Sequence, residues 1–495
     1  MSKTIQTKRT LTAILTMAML ASFTACGDTA EPSADTTTTT AADTTVSAET
    51  VEVCELPDTD WEEQEFRVLG MLNSRSYFCN FEIDMDEETG DVVNDAIYHR
   101  NTAIEERYNV TITQILSESP KTDLVSSVFA GEDNYDLTFQ AVSDLPSIMT
   151  SGCLYDLNQI SYIDFDKSWW NADVNEALEI GGSLYFTTSD FSLRDKSRAY
   201  MLAYNANIVE DYNIGNLSQL ALEGKWTIDK MNECGRIFAS DVDQNGSMNM
   251  SDKYSVGCAS YGDFACYVVA QGNRIISKDD SGELSIVMNS EHMINSIDKV
   301  LQLLDRSVSM YCNDFQGIVD GDMWTAHSTL FKQEQALFRA AMLPTLQTLS
   351  SAVNFDYRIL PMPKYDEEQE QYYTMSDGWA LMFGIPVSVS DPDFSGFMLE
   401  ALSYESQSTT LPAYYETSCK TKYTYDENSP ILIDMIMDGI VYDFGMIYSV
   451  GGLDEILNST IPSKGENVFS SAYASAEPAA LADLESLIEE LSSVE

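Results

Sequence analysis

The stretch from Glu65 to Gln140 constrains the fold more than any other part of the chain. "EFRVLGM" (Glu65–Met71) alternates apolar and polar residues as a half-buried strand does. "DVVNDAIYHRNTAIEERY" then sets Val93, Ala96, Ile97, Ile104 and Tyr108 near one face of a helix. "NVTITQI" is a β-branched strand, "PKTDLVSSVFAG" a helix with Pro120 at its start, and "YDLTFQ" (Tyr135–Gln140) a third strand. Strands that alternate with helices return to the same end of one sheet and pair in parallel. The expectation is an α/β fold whose sheet is covered by helices.

A second α/β rhythm begins near "RAYMLAYNANIVEDYNI" (Arg198–Ile214). "WTIDKMNECGRIFAS" reads as a helix capped by Thr227, with Met231, Cys234, Ile237 and Phe238 facing inward. "KYSVGCAS", "ALFRAAML" and "DYRILPMPKY" read as strands, and "GWALMFGIP" as a buried strand finishing at Pro386. The last third is mostly helical, with tyrosine-rich loops. With 495 residues, 44% of them apolar, the chain has enough material for two such lobes.

The first residues predict export. "MSKTIQTKRT" supplies positive charge, and "LTAILTMAMLAS" is an apolar run too short for a comfortable bilayer span. It ends in Phe23-Thr24-Ala25-Cys26, which resembles a bacterial lipobox, with Phe where Leu is usual; Cys26 is then the lipidated residue and 1–25 the signal peptide. The segment from Gly27 to Val53 has no aromatic residue, Lys or Arg, so 26–60 reads as the lipidated cysteine and a solvated stalk. The expected location is the outer face of a Gram-positive cell membrane, held by the lipid. Lys and Arg total 27 against 79 Asp and Glu, a formal charge of −52, which repels nucleic acid and anionic headgroups. The eight further cysteines contain no CxxC pair and leave disulfide pairing open.

"DVDQNGSMNMSD" carries oxygen donors at Asp241, Asp243, Asn245, Asn249 and Asp252, positions 1, 3, 5, 9 and 12 of a loop with Gly246 at position 6. Ser247 at position 7 would offer its backbone carbonyl. Calcium takes six to eight oxygens, and a twelve-residue loop of this spacing wraps one ion. Asp rather than Glu at position 12 reaches less far, so the expected affinity is about 10⁻⁴ to 10⁻³ M. The alternative is a polar turn rich in Asp and Asn. A helix enters the loop, but the exit reads as a strand through Tyr254–Gly257, so one structural Ca²⁺ is expected rather than a signalling pair.

Catalytic signatures are absent: no GxSxG, HExxH, GxxxxGK[ST] or GxGxxG occurs, and His99, His292 and His327 are isolated. Glycoside hydrolysis needs only two carboxylates, but nothing singles out a pair. Aromatics beside polar residues at strand-end loops are the more telling pattern. "GMLNSRSYF" offers Arg75, "DKSWWNAD" Trp169 and Trp170, "TTSDFSLRD" Asp190, and "MSDGWAL" Asp377 and Trp379. Sugar rings stack an apolar face on such rings and present hydroxyls to Asp, Asn and Arg. Core packing is the bland alternative for each tryptophan, and Trp61 and Trp226 are assigned to it.

Taken in order, the lipobox, stalk, "NDAIYHRNTAIEERYNVTI", "WWNADVNEALEIGGSLYFTTSD", "YNANIVEDYNI", "GKWTIDK" and "SDGWALMFGIP" resemble an extracellular solute-binding lipoprotein of an ABC transporter, of the carbohydrate-binding family 1-like group. The resemblance runs from about Trp61 to the end. It implies a two-lobed periplasmic-binding-protein-like fold (type II), with the lobes interleaved in sequence. Lobe one would hold 61–192, completed by about 379–440, and lobe two 193–376, completed by about 441–495. Crossovers would lie near Phe186–Arg198 and Thr374–Trp379, with Arg75, Trp169, Trp170, Asp190, Asp377 and Trp379 in the cleft between lobes. The implied function is capture of a carbohydrate, an oligosaccharide, by a monomer that delivers it to permease subunits, without catalysis. Glycan or peptide binding for a sensor or neighbouring enzymes is the alternative.

Overall fold

The protein is described here by a computed structural model covering residues 52–72, 83–279, 281–315, 321–415 and 427–492. Cys26 and Arg75 fall outside the described residues. Three strands open the first lobe: β1 (Gln64–Met71), β2 (Val110–Ser117) and β3 (Leu137–Ala141). They pair in parallel around a central β1, as the alternation of strands and helices requires. The intervening helix Val92–Tyr108 starts at Asp91, whose side chain accepts the Val93 and Asn94 N–H groups, and stops at Asn109 in the left-handed region. Val93, Ile97, Ile104 and Tyr108 are buried, and so is Arg100. Its guanidinium donates to Asn101 Oδ1, Ser406 Oγ and the Ile83 carbonyl and lies 4.8 Å from the Phe191 ring centre. A buried cation persists only when it is bonded in this way.

The second lobe contributes β4 (Met201–Asn205), β5 (Tyr254–Cys258), the hairpin β6 (Ile276–Lys278) and β7 (Leu284–Ile286), then β8 (Met310–Tyr311), β9 (Ala336–Ala341) and β10 (Tyr357–Leu360). Its main sheet has the order β10-β4-β9-β5-β8, with β4 antiparallel to both neighbours and β5 parallel to β8 and β9. The chain then returns through β11 (Thr374–Met375) to β12 (Leu381–Gly384), which joins the first sheet antiparallel to β3. A final short strand, β13 (Ile440–Val441), pairs in parallel with β11. The interleaving of lobes is therefore written in the strand order.

Several local expectations acquire partners, and some change place. Thr227 Oγ1 accepts the Lys230 N–H at the start of the helix Ile228–Phe238. Met231, Cys234 and Phe238 are buried, whereas Ile237 is 47% exposed. At 3.6 residues per turn Ile237 sits roughly 120° round from Met231, beyond the apolar stripe. The helix Pro392–Ser408 packs on lobe one, where Trp61 meets the rings of Phe394 and Phe397. The helix Ser429–Asp438, expected with lobe one, packs on β10 and the helix Leu217–Leu222 of lobe two through Leu432, Ile433 and Ile436. Residues 52–60, expected to be stalk, lie on lobe one: Cys54 and Leu56 touch its core, and the Glu52 carboxylate accepts the Ser168 N–H.

At the centre of lobe one, Glu400 accepts the indole N–H of Trp169 at 3.1 Å and of Trp170 at 2.9 Å. Burial pushes its carboxyl up from 4.5 to about 7, against the lowering effect of those bonds. A raised folded-state value means that the native protein holds the proton more tightly, so this contribution to stability is complete below about pH 4.5 and is lost as pH rises through 7. Between pH 5 and 8 the wild type should lose up to ~3 kcal/mol relative to Glu400→Gln, read from urea midpoints at each pH. A gap between the two proteins that does not change with pH would contradict this.

Candidate functional site

Two crossover segments run side by side between the lobes. Ala199 and Ser376 form an antiparallel bridge, the Tyr200 N–H donates to the Met375 carbonyl at 3.0 Å, and the Asp377 N–H to the Arg198 carbonyl at 3.1 Å. Arg198 Nη2 lies 2.7 Å from Asp377 Oδ1, with both side chains largely buried. The same oxygen accepts the Trp379 N–H at 2.7 Å, so one carboxylate ties the crossovers together and fixes the turn that carries Trp379. Upstream, Thr187 exchanges backbone hydrogen bonds with Phe383 on β12, which anchors the first crossover to lobe one.

A groove of about 280 Å³ opens against these segments. Val142 and Ser143, after the C-terminal end of β3, form its lobe-one wall together with Gly378 and Trp379. Tyr200, Tyr261 and Gly262 form the lobe-two wall, the last two in the loop after β5. Loops at the carboxyl ends of parallel strands are where open α/β sheets bind ligands. Trp379 is 36% exposed and Tyr261 62%, so each lobe offers an accessible ring. Tyr261 adopts φ 63°, a strained conformation for an aromatic residue, and Gly262 has φ 111°. A Cβ at Gly262 would fall 2.4 Å from Tyr200 Oη, so only glycine lets the loop close over that tyrosine.

The third wall comes from the C-terminal region: Met446, Ile447, Asp454, Glu455 and Asn458. Residues Ile456–Thr460 form a π-type turn, a widened helix often found at functional sites. The Asn458 carbonyl accepts the Tyr261 N–H at 3.1 Å, joining this wall to the lobe-two loop. Asp454 accepts Ser449 Oγ at 2.6 Å and Asn458 Nδ2 at 3.3 Å. Burial raises the proton affinity of Asp454 and of Glu455, the latter also through the charge of Asp454.

Of the residues singled out in the sequence, Asp377 and Trp379 lie on this groove. Trp169 and Trp170 are 1% and 4% exposed and sit in the lobe-one core, because Glu400 supplies acceptors for both indoles there. Asp190 lies beside the first crossover, where Lys196 Nζ approaches it at 3.4 Å and Asp195 at 3.9 Å. Tyr200, Tyr261, Glu455 and Asn458 were not singled out. Tyr261 carried a usable signal, since it follows the strand "KYSVGCAS". A larger recess of about 440 Å³ beside the helix Ala206–Asp211 belongs to lobe two alone and has no exposed aromatic ring. Another, of about 380 Å³, lies where Lys278 Nζ of β6 donates to the Glu176 and Glu179 carbonyls at the end of the lobe-one helix Ala172–Leu178.

The Asp241–Asp252 loop forms a second centre. The carboxylates of Asp241, Asp243 and Asp252 bring one oxygen each within 4.8 Å of one another. Asp241 Oδ2 accepts the Gly246 N–H at 2.8 Å, while its buried Oδ1 has no hydrogen-bond partner. That bond from Gly246 holds the Asp241 carboxyl below its usual range. Gln244 and Gly246 take φ 57° and 82°, which turns the chain sharply around the cluster. Asp252 Oδ1 and Oδ2 accept the Val242 and Asn249 N–H groups at 2.8 Å, and Asn245 and Ser247 complete the turn. The exit is the strand β5, reached through a bridge between Ser240 and Lys253.

No family model and no curated protein sequence matches the chain. Solved structures of the same fold do. A sugar transporter from Rhizobium etli in an open conformation is 12% identical, with 87% of this chain and 100% of that one covered and a TM-score of 0.56. A cyclo/maltodextrin-binding protein complexed with maltotetraose is 15% identical, over 87% and 98%, with a TM-score of 0.55. An ABC substrate-binding protein from Listeria monocytogenes in complex with cycloalternan is 12% identical, over 87% and 99%, with a TM-score of 0.51. At such identities the likeness is one of fold: the chain has the two-lobed α/β fold of these periplasmic-binding-protein-like structures.

Proposed function

We propose that the chain is a lipid-anchored extracellular substrate-binding protein that captures an oligosaccharide for uptake by an ABC transporter. One observation carries this reading: an inter-lobe groove at paired crossovers, with an exposed ring from each side, Trp379 and Tyr261. Sugar rings stack on aromatic faces, and Ser143, Asp377 and Asn458 offer hydroxyl partners around them. The fold supports it, since structures of this fold are described as a sugar transporter and as complexes with maltotetraose and cycloalternan. Binding rather than catalysis is favoured because Asp377 and Asp454 are both committed to hydrogen bonds within the protein. The lipobox at Cys26 supports anchoring, and the permease subunits would take ligand from the opened groove.

Thermal shift across an oligosaccharide panel tests the proposal. One glycan class should raise the melting temperature, and either Trp379→Ala or Tyr261→Ala should weaken its binding by roughly 10- to 100-fold, a stacked ring being worth about 1–3 kcal/mol. A flat panel from folded protein, or full affinity in both variants, would contradict carbohydrate capture.

The second centre is proposed as a structural calcium site, with Asp241, Asp243, Asn245, Ser247, Asn249 and Asp252 as the ligand set. The convergence of three carboxylates and the unpartnered Asp241 Oδ1 support a hard cation there. Calcium at about ten times its dissociation constant should stabilise the chelator-treated protein by ~1.4 kcal/mol and do little to glycan affinity. Calorimetric titration should find one site, lost in Asp243→Ala; one site of undiminished strength in that variant would refute the assignment.

A further inference from the structure

We infer that the groove selects its glycan by charge, accepting neutral or amine-bearing sugars and rejecting uronate or sulfated ones, with Glu455 as the residue that sets the preference. This rests on the carbohydrate reading above and narrows its substrate class. Among the described residues the groove is lined by three acids, Asp377, Asp454 and Glu455, and by no Lys, Arg or His. The three are not equivalent. Arg198 neutralises Asp377 at 2.7 Å, and Asp454 is held by Ser449 and Asn458. Glu455 is exposed at the groove and has no ion-pair partner among the described residues.

The surroundings keep it that way. Glu455 opens the π-type turn Ile456–Thr460, whose Asn458 carbonyl holds the Tyr261 loop, so Glu455 lines the third wall of the groove, next to the loop that carries the exposed Tyr261 ring. Burial and the neighbouring Asp454 charge both raise its affinity for a proton, the mark of a carboxylate lacking positive company. A protonated amine on the ligand would supply that company, and a second carboxylate or a sulfate would add a like charge in a partly desolvated site. The chain's formal charge of −52 adds a long-range field of the same sign.

Calorimetry on the full chain tests this with three oligosaccharides of equal length: the glycan that gives a thermal shift, its derivative with one hexuronate and its derivative with one unacetylated hexosamine. At low salt the uronate derivative should bind at least ~10-fold more weakly than the neutral one, and the hexosamine derivative as tightly or more so. Glu455→Gln should shrink the neutral-to-uronate affinity ratio by at least ~3-fold, and so should about 0.5 M salt on the wild type. Equal or tighter uronate binding, or a ratio unmoved by the substitution, overturns the inference while leaving carbohydrate binding intact. A ratio unmoved by salt does the same should the variant fail to fold. Failure of every glycan to bind overturns both claims together.

Discussion

The pairing of the two crossovers governs what the rest of the molecule does. Arg198 and Asp377 meet at 2.7 Å where the segments cross, and the backbone bonds on either side hold them in one register. Two buried charges this close are costly to separate, because each would be left uncompensated. The junction therefore holds the two crossovers in one fixed register. Because Asp377 Oδ1 also accepts the Trp379 N–H, the crossover junction and the turn that carries Trp379 are set by one side chain.

Buried acids play two different parts in this strongly acidic chain. Glu400 and Asp454 are enclosed and bonded, and their environment raises the energy of the ionised form while the donors around them keep the local structure single. In the Asp241–Asp252 loop three carboxylates of differing exposure converge instead, and there the Asp241 Oδ1 has no hydrogen-bond partner. Glu455 belongs to neither class: it is exposed at the groove and has no ion-pair partner among the described residues. Placement, rather than the number of carboxylates, separates the enclosed acids from the one open to the groove.

Much of the fold was legible because its signals are local. The run "EFRVLGM" names a strand and the stripe from Val93 to Tyr108 a helix face without reference to the rest of the chain. Val68–Met71 are nevertheless buried in succession rather than alternately, because β1 lies between β2 and β3. The crossovers were legible through motif order, and "MSDGWAL" placed Asp377 and Trp379 on a strand-end loop. What escaped depends on partners far away in sequence. Trp169 and Trp170 look like loop aromatics until Glu400, 231 and 230 residues on, supplies acceptors for both. Glu455 and Asn458 reach the groove only because the C-terminal region folds back beside the crossovers. The helix Ser429–Asp438 carries an apolar face that either lobe could have covered, and packing on β10 decides it. Ile237 shows the limit of a periodic reading at the edge of a stripe.

Capture of a sugar at Trp379 and Tyr261, as proposed, would draw the two lobes together about the Arg198–Asp377 junction. Small-angle X-ray scattering on the protein with and without a glycan that binds it tests this most directly. A smaller radius of gyration is expected on saturation, and a scattering curve unchanged at full occupancy would rule closure out.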